Sequence, residues 1–182
     1  MGHDVMTRRT LGGGKLSHRG TAQQTRRPWE HDGLPATQMN GHSGDMGVSL
    51  RTPRMARAMV RHLLVEWRAA AGVIDVAELL ACELVTNAVC LAPVRPERQG
   101  YVPYITLAVW YIPDLVVVEV SDENEKPPEI QVPGDGAESG RGLLLVDGLS
   151  SEWSYYYPRK GWKTVYCVVG ERRGNHRDDP DR

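Results

Sequence analysis

The sequence predicts an α+β fold, a two-layer sandwich in which helices cover one face of a mostly antiparallel sheet. Two helical stretches, one amphipathic and one apolar, come first, between residues 52 and 93. Two pairs of apolar strands follow, at residues 104–120 and 152–169, and each pair has a connection too short for a parallel crossover. A third short helix separates the pairs. The order β-α-α-β-β-loop-α-β-β is typical of helices packed on one face of a sheet.

The chain is predicted to consist of an N-terminal tail, one domain and a short C-terminal tail. Residues 1–47 are rich in Gly, Arg, Thr, Gln and His without sustained apolar periodicity, so we expect them to be disordered. A short docking peptide around Trp29 is the alternative. Residues 48–170 form the domain, since a chain of 182 residues with 41% hydrophobic residues can bury one good core. Residues 171–182 are charged and are predicted to be flexible.

Composition argues against several classes of function. The formal net charge of -1 gives no general attraction to nucleic acid or to an anionic membrane. No apolar run approaches the ~20 residues that cross a bilayer, and no apolar segment follows the basic N-terminal residues as in a secretory signal. The thiols of Cys82, Cys90 and Cys167 form no CxxC pair and are interpreted as buried and reduced. We therefore expect a cytoplasmic protein with no direct contact to nucleic acid or membrane.

The first helix is predicted to follow a short strand at residues 48–51. Thr52 is predicted to be its N-cap residue, with Pro53 at the first helical position. Apolar residues then recur at intervals of four, and arginines occupy the other face. The helix is predicted to stop near Gly72.

The second helix is predicted to begin at Asp75, with Glu78 completing a variant capping box, and to run towards Pro93. It is apolar almost all round, which predicts burial on most sides. Glu83 and Asn87 are polar exceptions four residues apart on one face. A hard cation and water would satisfy both, because Asn offers a carbonyl ligand and Glu can orient or deprotonate a water or hydroxyl. A Glu–Asn pair that faces solvent is the alternative.

Two further polar features lie at the ends of predicted elements. Asp122 ends a buried strand, where its carboxylate can accept a hydrogen bond from an exocyclic amine or can simply begin a turn. Residues 123–139 contain several Pro and Gly and are predicted to form a long loop, either a lid or a disordered segment. Gly140-Arg141-Gly142 then precedes the short apolar helix, whose N-terminus favours phosphate. A tight turn is the alternative.

Three segments, in this order and at these separations, resemble the histidine-kinase/Hsp90-like ATPase fold, also called the Bergerat fold. They are Glu83-Leu-Val-Thr-Asn87-Ala88, Val120-Ser121-Asp122 and the sequence ESGRGLLLV at residues 138–146. More narrowly, residues 48–169 resemble the compact anti-sigma-factor serine/threonine kinases of bacteria.

This resemblance implies a role for each candidate residue. Asn87 would coordinate Mg²⁺ that bridges the phosphates of ATP, and Glu83 would be catalytic, as a general base or orienting group. Asp122 would bind the adenine amino group. The remaining nucleotide contacts would come from one segment, which consists of Ser139, Gly140, Arg141, Gly142 and Leu143.

The resemblance also implies a regulatory function. Such a kinase phosphorylates a serine on a STAS-type anti-anti-sigma protein and, once released from it, holds its sigma factor inactive; relatives often form homodimers. Two departures favour an alternative, a non-catalytic ATP-binding module that sequesters a sigma factor or another regulator. Residues 122–125 contain no glycine, and residues 89–92 contain no basic or histidine residue. A wider ATPase or sensor output domain, and a domain that binds no nucleotide, also remain open.

Overall fold

The structure, a computed structural model, describes residues 39–93, 99–112, 115–130 and 141–170. The described residues form one antiparallel sheet with the strand order β1-β2-β3-β5-β4 and three helices. The predicted α+β fold is confirmed. The predicted tails at residues 1–38 and 171–182 lie outside the described residues. In chain order the elements are β1 (Asn40–Gly47), α1 (Thr52–Glu66), α2 (Ala71–Cys90), β2 (Tyr104–Ile112), β3 (Leu115–Asp122), α3 (Gly142–Leu149), β4 (Glu152–Arg159) and β5 (Trp162–Val169).

The main core lies between the sheet and the helices. Alternate residues of β3 and β5 face α2, whose buried side chains recur at helical spacing. Leu80, Val85, Val118 and Val120 are almost completely buried there. Among the described residues, no helix is both long enough and apolar enough to cross a membrane.

A second cluster lies on the other face of the sheet. It is built from alternate residues of the same strands, namely Ile112, Leu115, Val117, Tyr156, Tyr166 and Val168. Glu119 is buried beside this cluster and accepts hydrogen bonds from Trp110 Nε1 at 2.9 Å and from the Tyr156 hydroxyl at 3.0 Å. Both donors compensate the carboxylate for lost hydration.

The first strand lies before the predicted one. β1 pairs along its whole length with β2, whereas residues 49–51 form the turn into α1. Two predictions are therefore wrong: a strand at residues 48–51, and a disordered tail that extends to residue 47. The sequence of β1 shows no alternation of apolar residues. This edge strand is held mainly by backbone pairing with β2. Its Gly41 lies so close to Trp110 that an added Cβ would be 2.4 Å from the indole ring.

The boundaries of α1 also differ from the predicted ones. Pro53 lies in the first turn as predicted, but Thr52 is not the N-cap. Its hydroxyl donates to the Gly47 carbonyl at 2.6 Å and accepts from the Ser49 amide at 3.0 Å, so it holds the turn between β1 and α1.

The connection between the helices lies before Gly72. α1 ends at Glu66 and α2 begins at Ala71, so Gly72 lies in the first turn of α2 instead of stopping α1. The chain reverses through Arg68, which has a left-handed φ of 59°.

Glu78 joins the two helices and does not cap α2. Its carboxylate is buried and accepts from Arg57 Nη2 at 2.9 Å and from Arg61 Nε at 2.5 Å, both on α1. Arg61 also contacts the exposed Asp75 at 2.8 Å. The hydrogen bond from Arg61 and the neighbouring Arg57 hold the pKa of Glu78 below its ordinary value. The capping-box prediction is wrong because α2 begins earlier, at Ala71.

Glu78→Gln is expected to lower the free energy of unfolding at neutral pH by about 2 kcal/mol, because it neutralises the buried partner of two arginines without a large change in volume. Urea unfolding would measure this loss. Asp75→Asn is the matched control, since Asp75 also contacts Arg61 but has a side chain that is 66% exposed. Its effect should be small. Equal losses in the two variants would contradict the assigned role of Glu78.

The effect of Glu78→Gln on stability should depend on pH. With a lowered pKa, Glu78 stabilises the fold above its ordinary pKa of 4.5 and loses this contribution as the pH falls through the folded-state pKa. The difference in unfolding free energy between wild type and Glu78→Gln should therefore be constant near neutral pH and shrink in acid. Urea midpoints measured from about pH 3 to about pH 7 would check this. A difference that grows on acidification is the opposite of the expected result.

Candidate functional site

Three of the predicted site residues meet where α2 contacts α3. A Cβ added to Gly142, the first residue of α3, would lie 2.8 Å from Glu83 Oε2 and 3.4 Å from Asn87 Nδ2. The helical spacing of Glu83 and Asn87 brings both onto the side of α2 that faces this glycine. Gly142 thus permits a close approach that a larger residue would make only by displacing the Glu83 carboxylate.

Asn87 has a buried polar atom with no hydrogen-bond partner among the described residues. Its Nδ2 is inaccessible to solvent and makes no hydrogen bond to any described residue. A buried amide donor without a partner costs about 1–3 kcal/mol, so such groups are rare in folded proteins. The burial of this atom does not fit the alternative of a Glu–Asn pair open to solvent. It fits a site in which a ligand completes the hydrogen bonding.

The start of α3 has the properties of an anion site. Arg141 is the N-cap residue, and its side chain makes no capping hydrogen bond. The first N–H groups of a helix have no intrahelical acceptors and lie at the positive end of its dipole. The side chain of Arg141 is exposed, whereas that of Leu143 belongs to the core. Ser139 and Gly140 lie outside the described residues.

Asp122 lies at the end of β3 with its side chain on the helix-facing side of the sheet. The residue is 4% exposed, and its Oδ1 accepts from the Asn124 amide at 2.8 Å. Lys163, directly opposite on β5, places its Nζ 3.5 Å from the same oxygen. Burial raises the pKa of Asp122 and lowers the pKa of Lys163, while the attraction between them opposes both shifts.

Short hydrogen-bonded links connect Asp122 to the end of α2. Asn124 Nδ2 donates to the Leu91 carbonyl at 3.3 Å, and the Leu91 amide donates to the Asn87 carbonyl at 3.1 Å. The loop that follows Asp122 is therefore attached one helical turn beyond Asn87. The structure brings Glu83, Asn87 and Gly142 together and ties the Asp122 loop to the same end of α2.

Lys163 is the residue that the sequence interpretation missed. It is 3% exposed, and its Nζ also donates to the Lys126 carbonyl at 3.0 Å. A signal was present, because Lys163 is the single charged residue of an otherwise uncharged, fully buried strand. A buried lysine almost always has a partner, but the pattern of β5 does not identify Asp122 as that partner.

The side chains at Glu83 and Asn87 fit a magnesium ion that is shared with phosphates. Within the described residues, no group of three or more His, Cys, Asp or Glu side chains could hold a metal. Mg²⁺ in nucleotide sites usually takes one or two protein oxygens, with phosphate and water completing its shell. The Asn87 carbonyl oxygen beside the Glu83 carboxylate supplies such a set.

Comparison with known proteins finds a matching family and a similar fold. A family model described as the histidine kinase-like ATPase domain matches residues 48–167. The fold is similar to that of a solved structure of the RsbU and RsbW domains of Rv1364c from Mycobacterium tuberculosis, with a TM-score of 0.52 and 20% identity over 72% of this chain. This chain spans 32% of that chain, and at this identity the likeness shows a common fold. No curated protein matches the sequence.

Asn87→Leu is expected to raise the free energy of unfolding without ligand by about 1 kcal/mol, because it removes an unpaired buried donor at nearly constant volume. Thr86→Val is the matched control, since the Thr86 hydroxyl donates to the Cys82 carbonyl at 2.7 Å and this bond is lost. Urea unfolding of both variants would compare them. A loss of stability in Asn87→Leu larger than that in Thr86→Val would show that Asn87 has a structural partner.

Proposed function

Because the chain belongs to the histidine kinase-like ATPase domain family, we propose that it binds Mg²⁺-ATP and phosphorylates a serine on a STAS-type anti-anti-sigma protein. In this proposal the protein acts as the anti-sigma factor of a partner-switching circuit. The observation that carries it is the meeting of Glu83, Asn87 and the start of α3 at Gly142.

Nucleotide binding is assigned to two groups of residues, one for each end of the nucleotide. Asp122 offers a buried acceptor to the exocyclic amine of adenine, and the strand on which it lies fixes its position. At the other end, the first N–H groups of α3 and the exposed Arg141 favour the phosphates. The Asn87 carbonyl oxygen would coordinate Mg²⁺, which supplies positive charge against the charge that develops during transfer, and its unpaired Nδ2 would donate to a phosphate oxygen. Ser139 and Gly140 remain proposed members of this segment.

Glu83 is assigned to the transfer step. The hydroxyl oxygen of the partner's serine forms a bond to the γ-phosphorus, and the bond from the γ-phosphorus to the β–γ bridging oxygen breaks. Glu83 accepts the proton of the serine hydroxyl, or orients that hydroxyl for attack, and the products are phosphoserine and ADP. Most of the catalysis expected for such a step is positioning and electrostatic stabilisation.

The choice of partner is supported by sequence. The segment at residues 138–146 resembles that of the anti-sigma-factor kinases, and the fold is shared with a protein that contains an RsbW domain. In such a circuit, phosphorylation releases the anti-anti-sigma protein, and the kinase then binds its sigma factor.

A non-catalytic ATP-binding module is the second candidate, favoured by the loop after Asp122. The loop contains no glycine through Glu125 and is tied to the β4–β5 hairpin. Glu125 accepts from the Gly161 amide at 2.5 Å, and its carbonyl accepts from the Tyr157 hydroxyl at 3.0 Å. Such ties would oppose a rearrangement of the loop during turnover.

Binding is tested by thermal unfolding with Mg²⁺-ATP, Mg²⁺-ADP and no nucleotide. At about 100 times its dissociation constant a ligand adds about 2.7 kcal/mol, which raises the melting temperature of a domain of this size by several degrees. We expect a shift that requires Mg²⁺ and is lost in Asn87→Ala. Thr86→Ala, next to it on the helix but away from the assigned contacts, should keep the shift. No shift at millimolar nucleotide in the wild type would contradict ATP binding.

Transfer is tested with purified STAS-type proteins and γ-labelled ATP. Glu83→Gln should bind ATP but lose at least about 100-fold in rate, the usual contribution of a general base. Two glycines of α3 provide a matched pair. Gly142→Ala should slow transfer because its Cβ displaces the Glu83 carboxylate, whereas Gly148→Ala should not, because no atom lies within 4 Å of its added Cβ. Full transfer by Glu83→Gln would disprove its role, and ATP binding without phosphoserine would establish the second candidate.

A further inference from the structure

The buried Asp122–Lys163 pair has a feature that adenine binding alone does not explain. Both residues are almost fully buried, at 4% and 3% exposed, and they are register partners on the adjacent strands β3 and β5. The Nζ of Lys163 lies 3.5 Å from Asp122 Oδ1, beyond a good hydrogen bond, and makes its close contact to the Lys126 carbonyl at 3.0 Å. The ammonium group thus lies beside the carboxylate without a short hydrogen bond to it.

The placement gives Asp122 a nearby positive charge and leaves it capacity to accept a further hydrogen bond. Its Oδ1 already accepts from the Asn124 amide, and Lys163 supplies the opposite charge that a buried carboxylate requires. An apolar residue in place of Lys163 would leave the ionised carboxylate without a cation at this distance. Asp122 would then be driven towards its neutral form, in which one oxygen carries a proton and accepts hydrogen bonds poorly.

We propose that Lys163 is a positioning residue of the nucleotide site, which holds the Asp122 carboxylate charged and fixed as the acceptor for the exocyclic amine of adenine. This inference rests on the proposed ATP site. Lys163 acts through Asp122, so its contribution to affinity exists only for a nucleotide that carries the amine.

The test compares two ligands that differ by one group. ATP carries the 6-amino group, and purine riboside triphosphate lacks it while keeping the ring, the sugar and the phosphates. In the wild type, ATP is expected to bind about tenfold more tightly, since hydrogen bonds to charged groups contribute about that much. In Lys163→Met this ratio of dissociation constants should fall to within about twofold of unity. The measurement is calorimetric titration with Mg²⁺ present.

Further variants separate charge from packing. Lys163→Gln is neutral and keeps a donor, and it should lose the discrimination as Lys163→Met does. Lys163→Arg keeps the charge and should retain most of the wild-type ratio. If Lys163→Met does not fold, as judged by its unfolding transition without ligand, Lys163→Gln and Lys163→Arg carry the comparison.

The outcomes separate this inference from the proposed function. An unchanged ratio in the neutral variants, with both ligands weakened equally, would overturn it, because Lys163 would then only anchor the loop at Lys126. A wild-type protein that binds neither triphosphate would instead overturn the proposed ATP site. A ratio that follows the charge at position 163 would support both.

Discussion

The position of α2 between the sheet and the other two helices is the constraint on which the rest of the structure depends. Buried residues recur along this helix where it faces the sheet and the other helices, so a polar residue on those sides needs a partner. Glu78 accepts hydrogen bonds from two arginines of α1, and this contact joins the helices. Glu83 and Asn87 instead approach a glycine, which offers them no side chain. On the same helix, Glu78 is therefore paired within the protein, whereas Nδ2 of Asn87 has no hydrogen-bond partner among the described residues.

The three buried acids of the described chain show how surroundings determine the role of a carboxylate. Glu78 accepts from two guanidinium groups, and Glu119 accepts from an indole and a phenol hydroxyl. Asp122 has a backbone amide and a lysine at longer range, so it keeps acceptor capacity for a ligand. Burial alone does not separate these roles. The number of donors around each carboxylate, and their distances from it, distinguish the roles.

Sequence patterns predicted the elements whose side chains repeat along the chain, and they did not predict contacts between elements. The alternation in β3 and β5 and the apolar surface of α2 follow from periods of two and 3.6 residues. The spacing of Glu83 and Asn87 put them on one face. β1 was missed because its strand conformation comes from pairing with β2 and not from its own side chains. The partners of Glu78 and Lys163 were missed because they depend on which element lies opposite.

The weak side-chain anchorage of β1 has a consequence for local stability. Most of its residues are exposed, and Met46 is its one large apolar contact with the core, whereas β3 is central and buried along nearly its whole length. Amides of β1 should therefore exchange with solvent through local fraying, while amides of β3 exchange only when the whole domain opens. Asp122 is carried by the slowly exchanging strand. The proposed acceptor for the nucleotide base is thus expected to keep its place while the edge of the sheet opens and closes.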